Sequence, residues 1–364
     1  MKFIETAKKE AAGETFVLLS FLSAFLQKSD IINGMTNPQI EEKKVLEKKI
    51  ARGKASGKII LMGEHAVVYG QPAIAIPFSA VETVSEVKTE GEKLTVTCDF
   101  YDGLVHEMPE ILESLKHAIR FSLYRINAPQ DPAIHIDIRS TIPAERGMGS
   151  SAAVAVAIAR SLFNFYGKVL TDKELWEIVQ SSEKIAHGNP SGIDTVTTSG
   201  KSPLFFVKDQ PIEQLTIHMD AYLVVADTGQ TGQTFKAIQS VKELLHKRDD
   251  QPATSSDSRQ AIQELGKLTR LAKEALLNNQ VLELGEAMNR AQQLLASLTV
   301  SDQLLDELTQ VARQAGALGA KLTGGGLGGC LIALAKDKES AKKVSAALVK
   351  NGAEKVWCQY LGDL

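Results

Sequence analysis

Residues 143–153, PAERGMGSSAA, constrain this chain more than any other stretch. Ahead of them Ile134, Ile136 and Ile138 alternate with His135, Asp137 and Arg139, the period-two pattern of a half-buried strand. Behind them, residues 150–166 are apolar nearly all round, which predicts a buried helix. Turning from strand to buried helix through Gly147 and Gly149 brings bare backbone close to whatever lies there. Ser150 and Ser151 fall at the helix start, where free N–H groups and the helix dipole favour an anion. A plain turn with a serine N-cap accounts for one serine and leaves the paired glycines without a reason. The pattern is that of a phosphate cradle.

Two kinds of cradle compete. Gly147, Gly149 and Ala152 satisfy the dinucleotide fingerprint, so a nicotinamide-dependent oxidoreductase is a rival reading. Against it, the preceding strand alternates, whereas a central parallel strand is continuously apolar. The acid some twenty residues on, Asp172, opens a helix and does not end a second strand. A P-loop is excluded, because Thr195 stands where its first glycine belongs ahead of Gly200-Lys201-Ser202. The second glycine-rich segment, residues 324–329, runs from helix to strand, the wrong order for a fingerprint.

A second cluster lies at residues 183–195, EKIAHGNPSGIDT. Thr171 and Asp172 cap a helix running to about His187, which puts Glu183 in its last turn. A carboxylate at a helix C-terminus is disfavoured by the dipole, which points to a compensating cation, Mg²⁺ or Lys184. Glu183 and Asp194 could then divide labour, one on a hard cation and one near a reacting hydroxyl. Lys58, Glu64 and His65 stand in GKIILMGEHAVVYG, where a lone Lys or His usually has a structural role. Seven histidines without close ligand spacing speak against a transition-metal site.

The rest of the chain is ordinary in composition. Its 364 residues suggest two domains, and 44% hydrophobic with 23% charged residues exclude wholesale disorder. A net charge of −3 carries no electrostatic footprint for nucleic acid or an acidic membrane. Cys98, Cys330 and Cys358 are too few and scattered for a disulfide framework, which fits the cytoplasm. Residues 15–26, TFVLLSFLSAFL, are too short to span a bilayer. Acidic neighbours and the lack of a cleavage site argue against a signal peptide. They are expected to be a docked helix or to precede the true start, with Met35 ahead of a charged helical stretch, residues 38–54, as an alternative N-terminus.

Strands are expected at 58–62 and 72–77, a hairpin over 82–97 turning at 90–92, and a helix over 110–124. From 222 a second unit follows: strand 222–226, three helices between 233 and 315 separated by polar residues 248–258, strand 330–335, helix 339–350 and strand 356–361. That is a small helix-covered antiparallel sheet, an α+β arrangement.

Taken in order, GKIILMGEHAVVYGQPAIAIP, PAERGMGSSAA, HGNPSGIDT and KLTGGGLGGC resemble the motifs of the GHMP kinase superfamily, most closely its mevalonate kinase family, from about residue 55 onward. The resemblance implies a two-domain α+β fold. Residues 55–218 would be like ribosomal protein S5 domain 2, residues 219–364 ferredoxin-like, and residues 1–54 a helical or poorly ordered extension longer than the family's usual lead-in. It further implies ATP phosphates over Glu145, Arg146, Gly147, Met148, Gly149, Ser150 and Ser151, with Mg²⁺ held by Ser151 and Glu183. Asp194 would be the base on the C5 hydroxyl of mevalonate, and Lys58 would polarise that hydroxyl. Glu64, His65, Thr231 and Thr234 would face the substrate. Gly325 and Leu327 depart from a loop usually built of small residues, and Leu327 requires a conformation its side chain allows. ATP and mevalonate are the expected partners, without nucleic acid or membrane, and a homodimer is compatible with the reading. A non-catalytic sensor on the same scaffold would have no need of both Lys58 and Asp194.

Overall fold

The computed structural model describes residues 49–188, 190–246 and 252–364, all within one compact unit. The expected features of residues 1–48, including the apolar run 15–26, lie outside the described residues. Among those described, no helix is long and apolar enough to cross a membrane.

The first half is a seven-stranded sheet built on two long partners. β1 (Ile50–Met62) and β2 (Ala73–Thr89) pair antiparallel, from Ile50 opposite Lys88 to Met62 opposite Ile74. Residues 50–54, expected as the end of a charged helix, are therefore strand. Their backbone pairs with residues 84–88 of β2, and this pairing overrides local helix propensity. β2 also continues through Pro77, where the sequence reading ended a strand. The register skips between Ser56 and Gly57, so Ser79 and Ala80 bulge out to the surface. Upstream of the bulge β2 is buried throughout; downstream it alternates.

The expected hairpin over 82–97 does not form. β3 (Thr95–Cys98) pairs with β4 (Tyr101–Leu104), and β5 (Ile134–Ser140) inserts between β2 and β3, antiparallel to the first and parallel to the second. With β6 (Leu204–Phe206) and β7 (Glu213–Gln214) the order is β4-β3-β5-β2-β6-β7, β1 lying on β2. Four helices belong to this half: α1 (Glu113–Arg125), α2 (Ser150–Tyr166), α3 (Asp172–His187) and α4 (Ile193–Ser199). Thr171 and Glu174 form a reciprocal capping box that starts α3 where expected. α2 packs on β1 and β2 and caps the outer edge of β1: Arg160 Nη1 donates to Lys54 O (2.6 Å) and Asn164 Nδ2 to Arg52 O (2.9 Å).

The second half carries an antiparallel sheet in the order β11-β8-β10-β9, formed by β8 (Tyr222–Asp227), β9 (Gly319–Thr323), β10 (Cys330–Ala335) and β11 (Lys355–Tyr360). Four helices, not three, lie between 233 and 315: α5 (Thr234–His246), α6 (Pro252–Leu277), α7 (Val281–Ser297) and α8 (Gln303–Gln314). Of the polar stretch read as a spacer, residues 252–258 begin α6 and the rest lie outside the described residues; α9 (Lys338–Lys350) follows later. α7, α8 and α9 cover the sheet. The two halves share one continuous apolar core, in which Phe78 of β2 meets Trp357 of β11 edge-on at 6.5 Å between ring centroids.

Candidate active site

Lys58 stands in the middle of β1, and its N–H donates to Met148 O at 3.0 Å, which ties the strand to the glycine loop. Its side chain is 7% exposed and reaches Asp194 of α4, Nζ to Oδ1 3.0 Å. The shaft of the lysine passes over Gly149, where a methyl group would lie 2.8 Å from Lys58 Cγ. Gly149 also has φ +73° as the N-cap of α2, so a residue without a side chain is required twice over. No side-chain cap is made there, so the serine N-cap alternative fails.

Ser151 is engaged elsewhere. Its hydroxyl donates to Glu183 Oε1 at 2.6 Å and lies 3.2 Å from His187 Nε2. Glu183 is almost wholly buried, and burial pushes its carboxyl above the usual range, with the charge of Asp194 adding to the push and the Ser151 hydrogen bond opposing it. Lys184, offered as a compensating cation, is solvent-exposed, and among the described residues no ion pair joins it to Glu183. His187, one helical turn on, is the imidazole beside that carboxylate, Nε2 to Oε2 3.7 Å. Glu183 beside His187 at i, i+4 was the signal in the sequence for that neighbour.

On the other wall, Glu64 pairs with Lys321 of β9, both side chains fully enclosed. Burial drives the Glu64 carboxyl up and the Lys321 ammonium down, each resisted by the charge of the other. Lys321 also donates to Leu322 O at 2.6 Å, while Glu64 Oε2 is buried without a hydrogen-bond partner. Lys321 was missed in the sequence, although a lysine inside the apolar run of β9 is itself a sign of a buried partner. His65 has φ +58° and lies 3.0 Å from Gly325 O through Nε2. A carbonyl only accepts, which assigns the ring proton to Nε2. Burial, followed by the Lys321 charge, pulls its pKa down to about 4, with the hydrogen bond opposing.

Loops of the two halves interlock around this point. A methyl at Gly147 would sit 3.2 Å from Gly324 Cα, and one at Gly325 would overlap Thr234 Oγ. Gly232 N donates to Glu145 O at 3.1 Å, and Thr323 Oγ donates to Ile60 O at 2.8 Å. Leu327 takes φ +50°, a left-handed conformation anchored by its N–H to Val300 O at 3.0 Å. Arg146 turns to the second half, and Thr231 accepts from its Nη1 at 3.2 Å. Ser150 begins α2 half-exposed beside this cluster. Among the described residues no group of three or more His, Cys, Asp or Glu is assembled to hold a metal. One buried carboxylate and one hydroxyl instead fit a magnesium ion that takes its other ligands from phosphates and water.

Family models for the GHMP kinases N terminal domain and the GHMP kinases C terminal match residues 112–201 and 272–354. With the fold, they define a GHMP kinase, an ATP-dependent kinase. A mevalonate kinase from Pyrococcus horikoshii is 33% identical over 82% of this chain and 92% of its own, and one from Thermococcus gammatolerans 34% over 79% and 89%. The crystal structure of mevalonate kinase from methicillin-resistant Staphylococcus aureus shares 34% identity, covers 86% of this chain and 99% of its own, and superposes with a TM-score of 0.64. That of L. major mevalonate kinase in complex with R-mevalonate gives 0.73 at 26% identity, over 89% and 98%. The chain belongs to the mevalonate kinase family.

Proposed function

We propose that this chain transfers the γ-phosphoryl group of ATP to the C5 hydroxyl of mevalonate, giving 5-phosphomevalonate and ADP in isoprenoid synthesis in the cytoplasm. The observation that carries the reading is the contact of buried Lys58 with half-buried Asp194 at 3.0 Å, beside the Ser151–Glu183 pair at the head of α2. Phosphoryl transfer passes through a loose transition state, so alignment and charge neutralisation are what a protein must supply. Asp194 takes the proton of the acceptor hydroxyl, and Lys58 orients that carboxylate and balances charge moving onto the transferred group. The N–H groups at the start of α2 and the glycine backbone receive the phosphates. Ser151 and Glu183 would hold Mg²⁺, which neutralises phosphate charge when bound. Glu64, His65, Thr231 and Thr234 form the acceptor side. A coupled ADP-release assay across mevalonate, phosphomevalonate, homoserine and galactose tests the assignment. Turnover confined to mevalonate is expected; turnover only on another acceptor would overturn it.

A further inference from the structure

Arg146 belongs by sequence to the phosphate loop, yet its guanidinium is spent on the other half of the molecule. Nε donates to Asp227 Oδ1 at 2.9 Å, Nη2 to Gly229 O at 2.9 Å, and Nη1 to Thr231 Oγ at 3.2 Å and, more weakly, to Ala144 O at 3.5 Å. The Asp227 carboxylate is nearly enclosed and also accepts from Gly229 N at 2.9 Å, so the same oxygen closes the turn that Arg146 grips. Around the fork, Gly232 N reaches Glu145 O at 3.1 Å and Gly329 N reaches Gln230 O at 2.8 Å.

We infer that Arg146 is a positioning residue that ties nucleotide binding to acceptor binding, holding residues 145–147 against residues 227–231 through Asp227. The inference rests on the reading above, in which ATP lies over 145–151 and the acceptor beside Thr231 and Thr234. Arginine suits the task because its planar fork spreads separate N–H groups to a carboxylate, a carbonyl and a hydroxyl, a geometry that the compact ammonium of a lysine does not reproduce. It also fixes the role of Thr231. A guanidinium only donates, so the Thr231 oxygen accepts from it and the hydroxyl proton is left for an oxygen of the acceptor substrate. Thr231 is exposed and can meet a ligand. Any ordering of the phosphate loop by nucleotide is then passed to the acceptor loop, and the coupling is reciprocal.

The test is a matrix of initial rates in ATP and mevalonate for the wild type, Arg146→Lys, Arg146→Met, Asp227→Asn and Arg146→Met/Asp227→Asn, below their unfolding temperatures. Protection against unfolding by Mg·ATP is read on the same proteins. The clamp predicts that Asp227→Asn and Arg146→Met each lower kcat/KM for mevalonate at least about tenfold, that the double variant is little worse than either, and that Arg146→Lys does not rescue. Thr231→Val should raise the KM for mevalonate with the KM for ATP within about twofold, and Thr231→Ser should restore it. Asp227→Asn should also weaken ATP protection several-fold, a readout that needs no acceptor. An Asp227→Asn protein with wild-type constants and wild-type ATP protection overturns the clamp, as does full rescue by Arg146→Lys. A wild type that binds ATP but leaves mevalonate untouched sinks the functional reading instead, and ATP protection then decides the clamp alone.

Discussion

Lys321→Met separates the two ways in which the Glu64–Lys321 pair could contribute. The side chains are of similar length, both partners are fully enclosed, and the variant leaves a buried carboxylate whose Oε2 already lacks a hydrogen bond. Removing one member of such a pair costs about 3–5 kcal/mol at neutral pH, because the other charge stays buried. For a chain of this size that is roughly 4–7 °C in Tm. Replacing both, as Glu64→Met/Lys321→Met, removes the stranded charge, and the double variant should lie closer to the wild type than Lys321→Met does. The pH dependence carries the sign. Without Lys321 the folded pKa of Glu64 rises further above its ordinary value near 4.5, so folding is favoured where the carboxyl is protonated and disfavoured as pH rises through the folded pKa. The deficit of Lys321→Met against the wild type should therefore shrink between pH 7 and pH 4.5. Denaturant unfolding at a series of pH values reads all three proteins. A Lys321→Met protein within about 1 kcal/mol of wild type at pH 7, or a deficit constant down to pH 4.5, refutes the stranded-charge argument.

Three further outcomes follow from the site. Asp194→Asn should lower kcat by about 10²–10⁴ with the KM for ATP little changed, measured by coupled ADP release; wild-type turnover would remove it from the chemistry. Ser151→Ala with Glu183→Gln should raise the half-saturating Mg²⁺ at least about tenfold, and an unchanged Mg²⁺ titration would take both off the metal. His65, its pKa lowered from 6.5 to about 4, contributes stability that is present above pH 6.5 and lost as pH falls toward 4, up to about 3 kcal/mol. His65→Gln, which keeps a donor for Gly325 O without a titrating ring, should flatten that acid limb in a Tm-against-pH series, and identical acid limbs would contradict it.

The elements flanking the glycine loop were legible because each carries its own local period. Ile134, Ile136 and Ile138 of β5 alternate, α2 is apolar all round, and Thr171 with Glu174 spells a capping box. What failed was pairing. Residues 82–97 look like a hairpin locally, but nothing in them records that β5, some forty residues on, comes between β2 and β3. Residues 50–54 have the charge pattern of a helix, and only their distant partners in β2 make them a strand. The same limit applies to the site. Lys58, Ser151, Glu183 and Asp194 stood out by motif; His187 and Lys321 carried local signals that did not name their distant partners, Ser151 and Glu64, and Asp227 acquires its meaning only from contacts across the fold.

The first residues of β1 have a practical consequence for anyone shortening this chain. A version cut at Ala55 would keep every motif and lose the stretch Ile50–Lys54, which lies against residues 84–88 of β2. Those backbone groups would become an open strand edge, a template for another copy of the chain. Arg160 and Asn164 would lose the carbonyls of Lys54 and Arg52 at the same time. Such a protein would retain its catalytic inventory and fail by clumping in the tube, so a cut placed ahead of Lys49 is the one to make.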